Sequence, residues 1–355
     1  MLRYPRRSDR ILGRVRAKPV FIRVIEKGWL TAMRMTVEIL GLDVGKRELH
    51  AVLMHDDRTA CKSVPNSPTG IAQLQKWLKN RKVSRVHVCL EATGGWSEDV
   101  AMALNEAGHI VSLVNPSRIK AFAQSEMLRT KTDRVDAASI ARFCRMHVPE
   151  QWTPPAPEIR TLQGLVRRYH SLVEMRTEEQ NRLGAPIVAP PVKASIMATL
   201  EHLTLELERV DREIAQLFDE YPPLRRQRDL LVSIPGIGET TAARILGEMP
   251  NITEFRSVKA VSAFAGLSPQ HYESGSIRRP SRLAKAGNAD LRQALYWPAI
   301  SAMRYNPILR SFADRLRERG KANMTIIAAV MRKLLTLAYG VLKSGRAFDP
   351  TFAAP

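Results

Sequence analysis

The sequence predicts an α/β N-terminal domain followed by a mostly α-helical remainder. Two apolar runs, Val37 to Leu42 and Val86 to Leu90, have the pattern of buried strands. Three strand patterns come first, and helical and strand patterns alternate after them as far as His147. This order is typical of a ribonuclease H fold, because a doubly wound sheet would alternate strands and helices from its start.

The elements of this domain follow one another closely. Strands are predicted at 37–43, 48–54, 58–64, 86–90 and 110–114, and helices at 69–80, at about 97–106 and in two segments ending at 147. A proline-rich segment, 149–158, marks the boundary, so the domain spans 36–148. Before it, residues 1–35 form a basic arm that is either disordered or upstream sequence translated ahead of a start at Met33 or Met35.

Four acidic residues fall where this fold would gather carboxylates. Asp43 and Glu91 each follow a predicted buried strand. Asp133 and Asp136 are spaced i, i+3 at the start of a helical pattern, so both face the same way. Clustered carboxylates repel one another unless a cation binds them. The pattern predicts a Mg²⁺ site, with Mn²⁺ as an alternative, that acts on phosphodiesters; otherwise these are ordinary turn and helix-start acids.

Composition favours a polyanionic partner. The chain has 355 residues, enough for two or three domains, and its 55 Lys and Arg against 35 Asp and Glu give a net charge of +20. Nucleic acid is the default partner at this charge, although a ribosomal or membrane-surface protein would be similar. The three cysteines lack metal-ligand spacing, which indicates a reducing compartment and no zinc. The most apolar stretch, 324–342, is interrupted by Arg332 and Lys333, so no membrane span is expected.

A helical middle region is predicted at 149–220. One helix runs from about Glu158 to Arg182, and a second carries an unbroken heptad seam. The seam residues are Ile196, Leu200, Leu203, Leu207, Val210, Ile214 and Leu217. Three heptads form a marginal coiled coil alone, so the seam is buried either in a dimer or against the preceding helix.

The C-terminal domain is predicted at 221–345, with a tail at 346–355. Two helical patterns flank Pro235-Gly236-Ile237-Gly238, an arrangement that resembles a helix-hairpin-helix. In that motif Gly236 and Gly238 would let the backbone approach a DNA phosphate, at the start of the following helix. The alternative is a plain tight turn.

A polar segment at 265–287 holds a candidate nucleophile, Ser274. Cations follow it closely: Arg278, Arg279, Arg282 and Lys285. They would hold a scissile phosphate and stabilise charge on its oxygens. By chemistry alone Ser268, Ser276 and Ser281 are equal candidates, and a solvated basic loop is the alternative.

Several motifs together resemble the insertion-sequence-110 family of transposases. They are GLDVG, LEATGG, NPSRIKAFAQSE, RTKTDRVDA, SIPGIGETTAARIL, FAGLSP, YESGS and KAGNADLRQAL, and they span about Ile39 to Gly345. The resemblance implies a RuvC-like domain followed by a transposase family 20 domain. By it, Asp43, Glu91, Asp133 and Asp136 would be metal ligands, and Ser274 the nucleophile that joins covalently to DNA.

The resemblance implies a recombinase that excises and inserts its own element. Its expected partners are donor and target DNA, a structured noncoding RNA that pairs with both, and further copies of the chain in a dimer or tetramer. We expect it in bacterial or archaeal cytoplasm, at the nucleoid. Two rival hypotheses are a junction-resolving endonuclease in which the same acids activate water, and a non-catalytic nucleic-acid-binding protein.

Overall fold

The chain folds into two compact units that divide between Pro154 and Pro155. A computed structural model describes residues 38–55, 58–92, 94–127, 132–186, 189–274, 277–284 and 286–351. Within these ranges the side chains of 271–274 and 277–281 are not described. The predicted N-terminal arm and Lys285 lie outside the described residues.

The first unit is built on a five-stranded sheet. Its strands are β1 (Glu38–Val44), β2 (Glu48–His55), β3 (Arg58–Pro65), β4 (Val86–Glu91) and β5 (Ile110–Val114). They lie in the order β3-β2-β1-β4-β5, with β1 to β3 antiparallel and β4 and β5 parallel to β1. Three hairpin-linked strands followed by parallel ones is the predicted ribonuclease H order, so the N-terminal α/β prediction is confirmed.

Helices cover both faces of this sheet. They are α1 (Pro68–Asn80), α2 (Gly95–Glu106), α3 (Pro116–Ser125) and α4 (Asp133–His147). Leu40 and Leu42 of β1 pack in one apolar cluster with residues of α1 and α2. Cys89 of β4 packs in another with residues of α3 and α4. Because neighbouring residues of a strand face opposite sides, α1 and α2 lie on one face and α3 and α4 on the other.

The second unit is mostly helical around one apolar core. Its helices are α5 (Pro157–Leu183), α6 (Pro190–Glu220), α7 (Pro222–Val232), α8 (Glu239–Glu248), α9 (Val258–Phe264), α10 (Ala289–Ala294), α11 (Tyr296–Tyr305), α12 (Pro307–Glu318) and α13 (Asn323–Ser344). A hairpin, β6 (Pro269–Ser274) and β7 (Ile277–Leu283), lies between α9 and α10. The core runs through the predicted middle region and the predicted C-terminal domain alike.

The heptad seam is buried within the chain. Leu203, Leu207 and Val210 of α6 share the core with Leu162 and Val166 of α5. The two helices pack as a hairpin. The structure contains the intrachain hairpin, which buries every seam residue except Leu200, whose side chain is partly exposed.

Helix α13 corrects one expectation. By length and apolar composition this helix could cross a membrane, despite Arg332 and Lys333, and it is the one such helix among the described residues. Within the second unit it lies in the core, where Val330, Leu334 and Ala338 are fully buried. A core helix passes the same composition test as a membrane span, so the test gives weak support for a membrane.

Candidate active site

Asp43 and Glu91 lie at the ends of neighbouring strands, Asp43 one residue before the end of β1 and Glu91 at the last residue of β4. The parallel pairing of β1 with β4 sets Leu42 beside Leu90, and the next residue on each strand is Asp43 and Glu91, respectively. The antiparallel pairing of β1 with β2 sets Asp43 opposite His50. Two predicted acids therefore leave the sheet side by side, with a histidine across from the first.

Close packing against α4 decides which way these acids face. Gly41 lies two residues before Asp43 on the same face of β1. A Cβ atom on Gly41 would lie 2.2 Å from the carbonyl oxygen of Ala137 and 2.4 Å from the amide nitrogen of Ala141, both on α4. The helix can approach the strand this closely only because residue 41 is glycine. Asp43 is therefore on the α4 side of the sheet.

Glu91 shares that side. Cys89, two residues before it, is fully buried and its thiol hydrogen-bonds to that of Cys144 on α4. Since alternate residues of a strand face the same way, Glu91 also lies on the α4 face. The half-buried Glu91 carboxyl stands at the end of β4, where the chain leaves the sheet.

The start of α4 supplies the other two acids. The Thr132 hydroxyl accepts a hydrogen bond from the Val135 amide at 3.3 Å and caps the helix. Asp133 and Asp136 both fall in the first turn, where the helix dipole favours negative charge. We call Asp43, Glu91, Asp133 and Asp136 the acidic edge.

Like charges meet at the acidic edge. Burial raises the pKa of Asp43, and the carboxylates of Asp133 and Asp136 raise it further. His50 and a hydrogen bond from the Val44 amide act in the opposite direction. Three of the predicted acids are thus close enough to interact electrostatically. Among the described residues, however, no group of three or more acidic, histidine or cysteine side chains is assembled at metal-binding geometry.

The candidate serine lies at the end of the β6–β7 hairpin. In its register Ser274 pairs with Ile277, Glu273 with Arg278, and Tyr272 with Arg279. Arg282, near the base of β7, pairs with Gln270 and has an exposed side chain. The roles of Ser274, Arg278 and Arg279 remain predictions, because their side chains are not described.

A buried charge network holds the segment that follows the hairpin. The Asn288 side chain donates a hydrogen bond from Nδ2 to the Glu248 carboxylate at 2.9 Å, and the Asn288 backbone N–H donates to the Phe264 carbonyl at 2.7 Å. Arg167 of α5 donates to both carboxylate oxygens of Glu248, at 2.9 and 3.2 Å. A Cβ on Gly287 would lie 2.4 Å from the Phe264 carbonyl. The base of the hairpin is therefore fixed to α5, α8 and α9.

Two family models match the chain. Residues 40–187 match a model described as a transposase, of the IS110 DEDD type. Residues 228–314 match a second model, described as a transposase of the IS116/IS110/IS902 family. The first covers the acidic edge and the second covers Ser274.

Full-length relatives settle the family. The pilin gene-inverting protein of Moraxella bovis is 33% identical over 324 residues, which cover 89% of this chain and 98% of that protein. The chain belongs to the IS110 family of transposases. The transposase of insertion sequence element IS1328 from Yersinia enterocolitica is 22% identical over 347 residues, covering 88% of this chain and 99% of that protein. This IS110-family chain is accordingly a DNA transposase or recombinase.

A solved structure is also similar to part of the chain. The RuvC protein of T. thermophilus, in complex with a Holliday junction substrate, is 18% identical and has a TM-score of 0.26. The match covers 33% of this chain and 99% of that one.

In this IS110-family enzyme, sequence reasoning missed His50. Its Nε2 lies 3.3 Å from Oδ2 of Asp133, and its Nδ1 shares a hydrogen bond of 2.9 Å with the Ser63 hydroxyl of β3. His50 therefore stands between the sheet and the first turn of α4. The signal was available in principle, because a hairpin register that pairs Asp43 with residue 50 places a polar residue at the acidic edge.

In the turn Pro235-Gly236-Ile237-Gly238, Gly236 allows close packing within the protein, where the sequence predicted close approach to a DNA phosphate. Gly236 has φ +107°, and a Cβ there would lie 2.6 Å from that of Ala302 on α11. The close approach that Gly236 allows is thus to a packed helix. Nothing lies within 4 Å of a Cβ on Gly238, at the start of α8. Phosphate binding at Gly238 remains a prediction.

Proposed function

We propose that this IS110-family enzyme cuts and rejoins DNA with Ser274 as its nucleophile and a divalent cation at the acidic edge. The observation that carries the proposal is the convergence of acids at one end of β1: Asp43 lies opposite His50, which is 3.3 Å from Asp133. The raised pKa of Asp43, which burial and the carboxylates of Asp133 and Asp136 produce, agrees with this geometry. Such a group of acids is unfavourable without positive charge nearby. A bound cation would lower that cost.

The donor set fits Mg²⁺. Carboxylate oxygens are the ligands that Mg²⁺ prefers, and Asp43, Asp133, Asp136 and Glu91 supply only oxygens. Glu91 follows Leu90, which pairs with Leu42 just before Asp43, so we propose it as the fourth ligand. His50, in contact with Asp133, orients that carboxylate. A divalent cation held there would stabilise the negative charge that develops on the attacking and leaving oxygens during displacement at phosphorus.

The serine step conserves the energy of the broken bond. The Ser274 oxygen attacks phosphorus, its proton is released, and the leaving DNA oxygen takes up a proton as the phosphodiester breaks. The resulting phosphoserine ester carries the bond that a second DNA hydroxyl later attacks, which releases serine and rejoins the strands. Arg278, Arg279, Arg282 and Lys285 would bind the phosphate oxygens.

Partners beyond DNA follow from the family resemblance. An element-encoded RNA that pairs with donor and target would supply sequence specificity, while the basic protein binds backbone and helix shape. Strand exchange requires several strands to be cut together, so we propose a dimer or tetramer. Because α5 packs against most of the heptad seam, the proposed oligomer does not depend on that seam for its contacts. Co-purification of a discrete RNA with the protein tests the guide.

A denaturing gel tests the serine mechanism. Wild-type protein, DNA, Mg²⁺ and any co-purified RNA should yield a covalent protein–DNA adduct. Ser274→Ala should abolish it, whereas Ser276→Ala and Ser281→Ala, which remove the neighbouring candidate hydroxyls, should retain it. Normal cutting by Ser274→Ala would contradict the serine mechanism and favour the endonuclease in which water attacks.

A further inference from the structure

A large groove lies in the second unit beside the serine hairpin. Its volume is about 1210 Å³, and its walls come from the start of α9, from α10, α11, α12 and α13, and from the base of the hairpin. Much of the lining is apolar, including Leu267, Phe312 and Met331. The groove is thus bounded by core helices, yet it is open to ligands.

The charges in the groove have one sign. Arg282, Arg292, Arg332 and Lys333 line it, and no acidic residue does so in the part of the chain that the structure describes. We call the cavity and these four residues the cationic groove. An apolar cavity with only positive charge fits a ligand that carries negative charge and apolar surface together.

Arg332 and Lys333 are the least expected of these cations. They are half-buried in α13, a helix otherwise apolar enough to cross a membrane. Within the described ranges, neither side chain forms an ion pair with an acidic residue. Partly burying an unpaired cation costs folding free energy. A bound anion would offset that cost.

One aromatic ring lines the groove, and a second ring contacts the first from outside the lining. Tyr296 lines the cationic groove, and its ring centroid is 5.4 Å from that of Trp297. The Trp297 side chain is 73% exposed, which is unusual for tryptophan in a folded unit. Proteins hold single-stranded nucleic acid with aromatic rings near cations, since bases stack on the rings and phosphates bind the cations. Here Tyr296 is half-buried in the groove wall and Trp297 extends the aromatic surface next to it. A duplex would offer its phosphates but not its base faces.

The hairpin connects the cationic groove with the candidate nucleophile. Pro269 and Leu283, at the base of β6 and β7, line the groove, and β6 runs from Pro269 to Ser274. At about 3.4 Å per residue this distance is about 17 Å. It corresponds to about five stacked nucleotides at about 3.4 Å each. A strand whose phosphate lies at Ser274 is therefore within reach of the groove.

We propose that the cationic groove holds an unpaired stretch of the DNA strand that Ser274 attacks. That the bound strand is the one Ser274 attacks rests on the proposed serine mechanism. That the groove binds unpaired DNA does not rest on it. The two are tested separately.

The direct test is fluorescence anisotropy with labelled poly(dT) and the full chain. The double variant Arg332→Gln, Lys333→Gln should weaken binding about tenfold at moderate salt. The slope of log affinity against log salt should become shallower by about 1.4, because each lost phosphate contact on a single strand contributes about 0.7. Unchanged affinity and slope would overturn the proposal.

A matched control separates the groove from general charge. Lys76→Gln, Lys79→Gln removes two exposed cations from α1 in the first unit and changes net charge equally. It should bind poly(dT) as the wild type does. An equal loss in both double variants would show non-specific attraction and contradict the groove. Stronger groove-dependent binding of poly(U) would replace DNA with RNA as the occupant.

Folding is checked by thermal unfolding. The Arg332→Gln, Lys333→Gln variant should melt no lower than the wild type, because it removes unpaired half-buried charge. If it does not fold, the exposed Trp297→Ala decides instead: about a tenfold loss of poly(dT) affinity supports stacking, and no loss contradicts it.

The last comparison distinguishes the two proposals. Ser274→Ala should bind poly(dT) with wild-type affinity. If that variant still cuts DNA while Arg332→Gln, Lys333→Gln loses poly(dT) binding, the serine mechanism fails and the groove stands. If Ser274→Ala loses the adduct while the double variant binds poly(dT) normally, the groove proposal fails and the serine mechanism stands.

Discussion

The acidic edge of the first unit and the cationic groove of the second present opposite electrostatic problems. At the acidic edge, Asp43 is destabilised as an anion by burial and by Asp133 and Asp136. In the groove, Arg332 and Lys333 are half-buried without an acidic partner among the described residues. Each unit thus leaves charge of one sign unmatched by its own side chains. We propose a different ligand for each place: a divalent cation for the acidic edge and the phosphates of a DNA strand for the cationic groove.

The largest expected effect comes from Asp43→Asn. It keeps the shape of the side chain and removes the charge that a cation needs, so adduct formation and strand rejoining should fall about a thousandfold. The quantity to measure is the rate of adduct formation at saturating Mg²⁺.

An activity-independent measurement accompanies it. Mg²⁺ should raise the melting temperature of the wild type by binding the folded state, and Asp43→Asn should lose most of this gain. Asp99→Asn, an exposed acid on α2, should behave as the wild type. Equal Mg²⁺ stabilisation of all three proteins would show that the acidic edge is not the cation site and would end the comparison.

The next largest effect tests how the acidic edge is assembled. Gly41→Ala would put a methyl group 2.2 Å from the Ala137 carbonyl, so α4 must move away from β1. We expect a loss of about 3 kcal/mol in the free energy of unfolding, measured with urea. The weakened contact should also separate Asp43 from the first turn of α4 and reduce Mg²⁺ stabilisation.

Gly95→Ala provides the matched control for this change. It makes the same substitution in the same unit, at a helix position where nothing lies within 4 Å of the new methyl group. It should leave the unfolding free energy unchanged or slightly higher. A similar loss in both variants would mean that the close β1–α4 contact is not what Gly41 provides.

The sequence predicted the acidic edge because local patterns report where strands end and helices start. Asp43 follows an apolar run, and Asp133 and Asp136 share one face of a helix. Both patterns are local in the sequence, so they can be recognised without knowing the distant contacts. His50 was missed because it joins the site only through the register of a hairpin. Gly236 shows the same limit, since nothing near it in the chain indicates that Ala302 will pack there.

The second unit was harder to predict because its charges are matched or unmatched only in three dimensions. Glu248 is paired with Arg167, which lies 81 residues earlier. The heptad seam indicated burial but not its partner, and within the chain α5 supplies that partner. In the sequence, Arg332 and Lys333 only interrupt an apolar stretch. Their position in the lining of the cationic groove depends on how several helices pack together.

Glu248→Gln sharpens the comparison between matched and unmatched charge. The side chain is 2% exposed and binds both Arg167 and Asn288. Neutralising it removes the charge from the carboxylate that Arg167 and Asn288 bind, and we expect a loss of about 2 kcal/mol in the free energy of unfolding. Glu174→Gln, an exposed acid that contacts His170, should change it by less than about 0.5 kcal/mol. If Glu248→Gln lowers the free energy of unfolding no more than Glu174→Gln does, the buried ion pair adds no stability, and the contrast between the Glu248 network and the cationic groove fails.

The smallest effect is a pH dependence at the acidic edge. Because burial and the carboxylates of Asp133 and Asp136 raise the pKa of Asp43, the folded protein holds that proton more tightly than the unfolded chain does. Ionised Asp43 therefore lowers stability. This cost is absent below the ordinary aspartate pKa and complete above the raised pKa.

In metal-free buffer, the stability of Asp43→Asn relative to the wild type should rise with pH through that interval and then level off, as measured by urea unfolding beside Asp99→Asn. Saturating Mg²⁺ should remove or reverse the difference, since a bound cation favours the carboxylate. A difference that stays constant with pH would mean that the acids tolerate one another without a cation, and only the cationic groove would then carry unmatched charge.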